Sequence, residues 1–337
     1  MLKKALCICL CLLALFSQAL AQEEDTLVIG RFKKVDEVIQ QVEGSSQSTV
    51  DITVTSISPA NVRLLKETFP EKTFLYRVTD FSHHYLWDTE HLNLKYIKYK
   101  SIDQLTELMD LLPKLNEVTT YGYIFTADEL DRLKEAYPGV TFNCKFHMAH
   151  HIISTDQTAF CTRHAKYTEK RHNQDDFAAF RHCPRLKALD VGHNAVTDIS
   201  FLEELPKLQI LILADNQISD LEPLRYQNEL VYLELIHNDI TDISPLADLT
   251  ELIDLHIGNC HITDFTPLYG LTKLDRLWLG GNDITEEQLK ELQEHLPNTT
   301  INSTAIKHPT AEGWRQGHPR YLKIAEIFGN DKYIPFP

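Results

Sequence analysis

Glycine and proline are both scarce in this 337-residue chain, at 12 and 14 residues. Their scarcity excludes a collagen-like repeat and a low-complexity, disordered composition. Cationic residues are outnumbered, with 33 Lys and Arg against 48 Asp and Glu and a formal net charge of −15. Nucleic acid and anionic membrane surfaces are met through a cationic face, so neither fits as the main partner. Long apolar runs are missing as well. The run Leu6 to Phe16 has 11 residues, where a membrane-spanning helix needs roughly 20, and no second run approaches spanning length. Enzyme motifs are lacking: no G-x-S-x-G, H-E-x-x-H, P-loop or G-x-G-x-x-G occurs. Acid pairs such as Glu203-Glu204 and Glu286-Glu287 read as solvated surface charge. The chain therefore reads as a non-enzyme with no cofactor.

What is present is an ordinary globular composition, 43% hydrophobic and 24% charged. Lys3 and Lys4 precede the short apolar run, and Ala19-Leu20-Ala21 follows it with small residues at two alternate positions. That sequence of features predicts a secretory signal over residues 1–21, cleaved before Gln22, and a secreted or extracytoplasmic chain with no membrane span.

From Leu186 a pattern recurs every 22 residues. Its first position is Leu186, Leu208, Leu230, Leu252 and Leu274, and its fourth is Leu189, Leu211, Leu233, Leu255 and Leu277. Its sixth is Val191, Leu213, Leu235, Ile257 and Leu279. The ninth is Asn194, Asn216, Asn238, Cys260 and Asn282, and the eleventh is Val196, Ile218, Ile240, Ile262 and Ile284. Alternating apolar residues predict a short strand with one face inward. The Asn can pair backbone groups that a bend leaves open. Pro223, Pro245 and Pro267 suit a return segment that makes no ladder. Gln227, where sister units have Leu205, Leu249 and Leu271, predicts a local loosening.

This pattern, L-x-x-L-x-L-x-x-N/C-x-I, resembles that of leucine-rich repeats. The 22-residue spacing and Thr241-Asp-Ile-Ser-Pro-Leu246 resemble the internalin type. The segment Gly313 to Tyr321 resembles the C-terminal part of secreted leucine-rich-repeat proteins of Clostridium-like bacteria. The resemblance implies an α/β fold class: a leucine-rich repeat solenoid with a concave parallel β-sheet and convex helices or 3₁₀ segments. Neighbouring coils must stack to bury their apolar faces, and both ends need caps. Trp314, Tyr321, Ile324 and Phe328 are expected to cover the open apolar end.

A second phrase, 18 residues long and without gaps, begins at Ile57, Phe125 and Ile284. Ser58-Pro59, Thr126 with Glu129, and Thr285 with Gln288 mark helix starts. Pro70, Pro138 and Pro297 mark the stops. The N-terminal half is thus expected to be solenoidal too, with strands at Val50–Ser56, Tyr96–Tyr99 and Asn116–Tyr121 and a helix through Leu105, Leu108 and Leu112. Phe74 and Phe142 should each end a short parallel strand or coil-closing segment. The expected organisation is a signal at 1–21, a divergent helical repeat-like region at 22–143 and a Cys/His-rich junction at 144–185. Five repeats follow at 186–303, and then a C-terminal cap at 304–337.

The junction holds Cys144, Cys161, Cys183 and six of the 16 His. No paired motif such as C-x-x-C is present, so no metal site is assigned from spacing. In an oxidising compartment a disulfide of Cys161 with Cys183 or Cys144 is expected, with Cys260 unpaired. In the repeat strands, the residues between the inward positions point to the concave side. Ile210, Ile212, Tyr232, Glu234, Ile236, Asp254, His256, Arg276 and Trp278 would form an apolar centre with a polar rim, the makings of a protein-binding patch; the alternative is that a cap or the N-terminal segment folds over this face, or that it self-associates. The expected function is a secreted, non-enzymatic protein-binding module whose partner is another protein met on the concave face. The alternatives are a structural or self-assembling surface component, or a metal-binding protein or enzyme at the junction.

Overall fold

The computed structural model describes residues 25–80, 82–162, 171–304 and 313–336. The expected signal, with Cys7, Cys9 and Cys11, lies outside them, and so does His164. The chain divides into two units. The first takes in residues up to Tyr123 together with Lys134–Phe142, and the second Ile124–Leu133 and Asn143–Pro337.

In the first unit β1 (Thr26–Val28), β2 (Thr49–Ile57) and β3 (Thr73–Asp80) pair in parallel. Parallel neighbours need a crossover, and α1 (Val35–Glu43) and α2 (Pro59–Thr68) supply it. Helix α2 starts where the sequence says: the Ser58 hydroxyl accepts the Asn61 N–H at 3.3 Å and Pro59 takes the first turn. Val62 and Leu65 are the face it buries. A second strand pair, β5 (His91–Asn93) with β6 (Glu117–Phe125), brackets α3 (Ile102–Met109), which buries Leu105 and Leu108.

Two expectations fail here. The strand placed at Tyr96–Tyr99 lies at His91–Asn93 instead. The Asn93 side chain accepts the Lys95 N–H at 3.2 Å and turns the chain before Tyr96. Phe74 does not end a strand; it is the second residue of β3, which runs on into an antiparallel pairing with β4 (His83–Leu86). Phe142 likewise is second in β7 (Thr141–Met148), which pairs antiparallel with β8 (His151–Ser154). Left-handed residues after these strands, Ser82 (φ 62) and Ala149 (φ 49), fold them back as hairpins, so the ladder is not parallel throughout.

The second unit holds a seven-stranded, all-parallel sheet: β9 (Ala159–Cys161), β10 (Ala188–Asp190), β11 (Ile210–Ile212), β12 (Tyr232–Glu234), β13 (Asp254–His256), β14 (Arg276–Trp278) and β15 (Thr300–Asn302). Its register places Leu189, Leu211, Leu233, Leu255 and Leu277 side by side. Phe160 and Ile301 extend that row at the two ends. Each leucine is fully buried. The Asn ladder forms as expected. Asn238 donates to Leu213 O at 3.0 Å and Leu235 O at 2.8 Å, and accepts the Ile218 N–H at 3.0 Å. Cys260 keeps the donor half, with its thiol 3.6 Å from Leu235 O and Gly258 O.

On the return side, four 3₁₀ turns follow Asp198, Asp220, Asp242 and Asp264. Each carboxylate accepts the N–H two residues on, at 2.8–2.9 Å, and so opens its turn. Phe201, which stands where later units have Pro, packs with Phe177 and Phe180 at centroid distances of 5.6 and 6.3 Å. Gln227 does not loosen the coil: buried, it donates to Leu202 O at 2.8 Å in the preceding coil. The last repeat swaps its 3₁₀ turn for α4 (Glu286–His295), opened by the Thr285–Gln288 capping box. Helix α5 (Pro319–Gly329) follows. Among the described residues no helix is long and apolar enough to cross a membrane.

Candidate functional site

The concave panel is built as the repeat dictates, but it does not face solvent. Ile210, Ile212, Tyr232, Ile236 and Trp278 join Trp314, Ile324, Ile327 and Phe328 in one buried cluster, with Tyr321, Tyr333 and Phe336 against it. Trp278 is 6% exposed and Tyr232 0%. The C-terminal segment thus lies along the concave sheet as a second core. This corrects two expectations. Ile210, Ile212, Tyr232, Glu234, Ile236, Asp254, His256, Arg276 and Trp278 are buried residues, not an open patch. Trp314, Tyr321, Ile324 and Phe328 cover that face and not the open end. The physical reason is that an apolar sheet face left in water costs free energy, and the chain carries its own amphipathic helix to close it.

Charge is buried with the apolar groups, and Glu234 and Asp254 are each paired with arginine. Glu234, fully buried, accepts the Tyr232 hydroxyl at 3.0 Å, the Trp314 indole N–H at 3.2 Å and the Arg315 Nε–H at 3.0 Å. The Arg315 Nη2 closes the fork on the same carboxylate. Asp254, also fully buried, takes two guanidinium groups. Arg276 reaches it at 2.9 and 2.7 Å, and Arg320 at 2.8 Å through both Nε and Nη2. Arg276 also donates to the Trp314 carbonyl at 2.9 Å and lies 4.4 Å from its ring centroid. Bidentate geometry of this kind offsets the desolvation of a buried ion pair. Burial, and then the neighbouring Glu234, hold the Tyr232 hydroxyl well above its ordinary value, so it stays a donor. Burial pushes the His256 imidazole down to about 4, which keeps it neutral at neutral pH. Its Nδ1 accepts the Gly258 N–H at 3.2 Å, and its ring stands edge-on to Trp314.

The expected disulfide is not formed. The Cys161 thiol lies on the concave side of β9, 3.4 Å from Asp190 Oδ2, and the Cys183 thiol points to Ser154 O at 3.6 Å. Strand β9 is itself the reason: it aims Cys161 across the sheet to its neighbour in β10 and away from Cys183. Cys260 is buried, and burial raises its thiol to about 11, so it is structural and unreactive.

Along one margin of the sheet a row of residues remains in contact with solvent. The eighth repeat position is left-handed in every unit, at His193 (φ 61), Asp215 (φ 56), His237 (φ 58), Asn259 (φ 49) and Gly281 (φ 84). Asn, Asp and His tolerate that conformation better than most residues. At Gly281 the left-handed backbone strains any side chain, and a Cβ would lie 2.0 Å from Asn259 Oδ1, which would have to move. The side chains link in sequence: His193 to Asp215 at 2.8 Å, and Asn259 to His237 at 3.3 Å. Both this row and the Asp198–Asp264 row share the 22-residue period and were legible from it. Arg315 and Arg320 carried no such signal.

Residues 184–226 and 228–270 each match the family model described as leucine-rich repeats in two copies. No curated protein matches the chain. Among solved structures it is similar to an internalin C2 of Listeria monocytogenes, at 21% identity over 74% of this chain and 100% of that one, with a TM-score of 0.37. An internalin F of the same organism matches at 19% identity over 79% and 77%, with a TM-score of 0.37. A leucine-rich-repeat protein of Leptospira interrogans matches at 16% identity over 76% and 72%, with a TM-score of 0.39. The parallel sheet in 22-residue register, the asparagine ladder and the 3₁₀ return turns make this a leucine-rich-repeat fold.

Proposed function

We propose that this is a secreted, non-enzymatic protein-binding module of a bacterial leucine-rich-repeat protein. The observation that supports it is the solvent-facing row His193, Asp215, His237 and Asn259, held in repeat register on a rigid sheet. Adjacent strands are about 4.8 Å apart, so the row offers a partner alternating imidazole, carboxylate and amide groups at fixed spacing. The concave panel serves stability, because residues 313–336 occupy it. Secretion rests on the Lys3-Lys4, apolar-run and Ala19-Leu20-Ala21 sequence.

The test is capture from host and bacterial surface fractions by the immobilised mature chain, followed by affinity measurement on the retained protein. Asp215→Asn keeps the left-handed backbone and removes one charge, and a fall in affinity of about tenfold is expected. The reading fails if the folded chain retains no protein. Concentration-dependent growth of mass in light scattering would instead favour a self-assembling component.

A further inference from the structure

The geometry points to a metal site that sequence spacing did not reveal: His150, His151 and His172 together form a three-imidazole site for a divalent transition ion of the zinc type. One ligand nitrogen from each ring lies within 4.8 Å of the other two. His151 Nε2 and His172 Nε2 are 3.4 Å apart. Two nitrogens each about 2.0–2.1 Å from a tetrahedral zinc ion are separated by about 3.3 Å, so this pair already stands at ligand spacing.

The local structure explains why three histidines from distant positions meet. Ala149 takes a left-handed conformation (φ 49) in the tight turn between β7 and β8, which brings His150 and His151 out together. His172 arrives from the other side and is fixed. Its N–H donates to Asn194 Oδ1 at 3.0 Å, and its carbonyl accepts the Ala195 N–H at 2.8 Å, so the first Asn of the ladder anchors it. The His150 ring then stacks on His172 at 4.7 Å.

Two further features suit an ion. Asp176 Oδ2 lies 3.1 Å from His172 Nδ1. That contact places the proton on Nδ1 and turns the Nε2 lone pair toward His151, the carboxylate–histidine arrangement that supports metal ligands. Phe160 and Phe177 stand 5.4 Å from the His151 and His172 rings and wall one side. His172 is buried, His151 half-buried and His150 exposed, so an ion can enter from solvent. Arg171, the nearest cation in sequence, is directed to Asp215 at 4.0 Å. Imidazole donors favour zinc, nickel and copper over calcium and magnesium.

The test uses the untagged mature chain, so that no added histidine competes. Zinc chloride is titrated by calorimetry at pH 7.5, with calcium and magnesium as controls. One equivalent of zinc should bind saturably, and the controls should not. His151→Gln and His150→Gln lie at or near the surface and keep the fold, which circular dichroism checks; each should weaken zinc binding at least tenfold. Asp176→Asn should weaken it by about 10–100-fold through the loss of ligand orientation. His295→Gln, remote from the cluster, should leave it unchanged. Absence of one-equivalent binding, or zinc affinity indifferent to His150→Gln and His151→Gln, would overturn the site and leave a hydrogen-bonded histidine pair only.

Discussion

At the scale of single residues, the Asn ladder carries the coil-to-coil bends, and Cys260 is its weak rung. Asn216, Asn238 and Asn282 each use two donors and one acceptor on backbone groups. A net intramolecular hydrogen bond is worth about 0.5–1.5 kcal/mol, and a thiol supplies less. Cys260→Asn should therefore raise stability by about 1 kcal/mol, read as a higher denaturant midpoint at unchanged slope. No gain, or a loss, would mean that the coil around residue 260 has shrunk to fit sulfur. Asn238→Ala should cost about 1–3 kcal/mol, because it leaves the Ile218 N–H buried without a partner, while the Leu213 and Leu235 carbonyls keep Asn216 and the Cys260 thiol. The ladder was legible in the sequence because its period repeats five times. Cys260 could be placed from its position alone, and its thiol behaves as that position requires.

At the scale of elements, the helix starts were readable because a cap is local. Ser58, Thr126 and Thr285 each bond an N–H three residues on. Which residues close the concave face was not readable. Glu234 meets Arg315 across 81 residues of chain, and Asp254 meets Arg320 across 66. No spacing rule links such positions, and an alternating strand looks the same whether its outer face meets water or a helix. Only the excess of apolar groups on that face, Ile210, Ile212, Tyr232, Ile236 and Trp278, hinted at a cover. The stability consequence is direct. Trp278→Ala and Leu277→Ala lie on opposite faces of one strand, and each should cost about 3–5 kcal/mol, since both empty a packed core. Thermal or urea unfolding of the two variants checks this. A loss under about 1 kcal/mol for Trp278→Ala alone would place that ring at the surface.

At the scale of the whole molecule, the second core makes stability depend on pH. His256 is neutral in the folded protein, with its imidazole pushed down to about 4 by burial, against an ordinary value of 6.5. The unfolded chain therefore binds a proton first on acidification. The stability that His256 contributes is fully present above pH 6.5 and is lost as pH falls toward 4. The shift corresponds to about 2–3 kcal/mol between pH 7 and pH 4.5. His256→Gln should remove that part of the slope in urea unfolding at the two pH values; equal slopes in both proteins would mean that His256 is open to solvent.

The C-terminal segment seals the concave sheet. Three Trp are present, Trp87, Trp278 and Trp314, and both that report on the seal are buried. Acrylamide quenching of tryptophan fluorescence in a Trp87→Phe variant therefore tests it most directly. A blue-shifted emission with little quenching, converted to free-indole behaviour only on unfolding, is the predicted result. Red-shifted emission and ready quenching in the folded protein would contradict the seal and return the concave face to solvent.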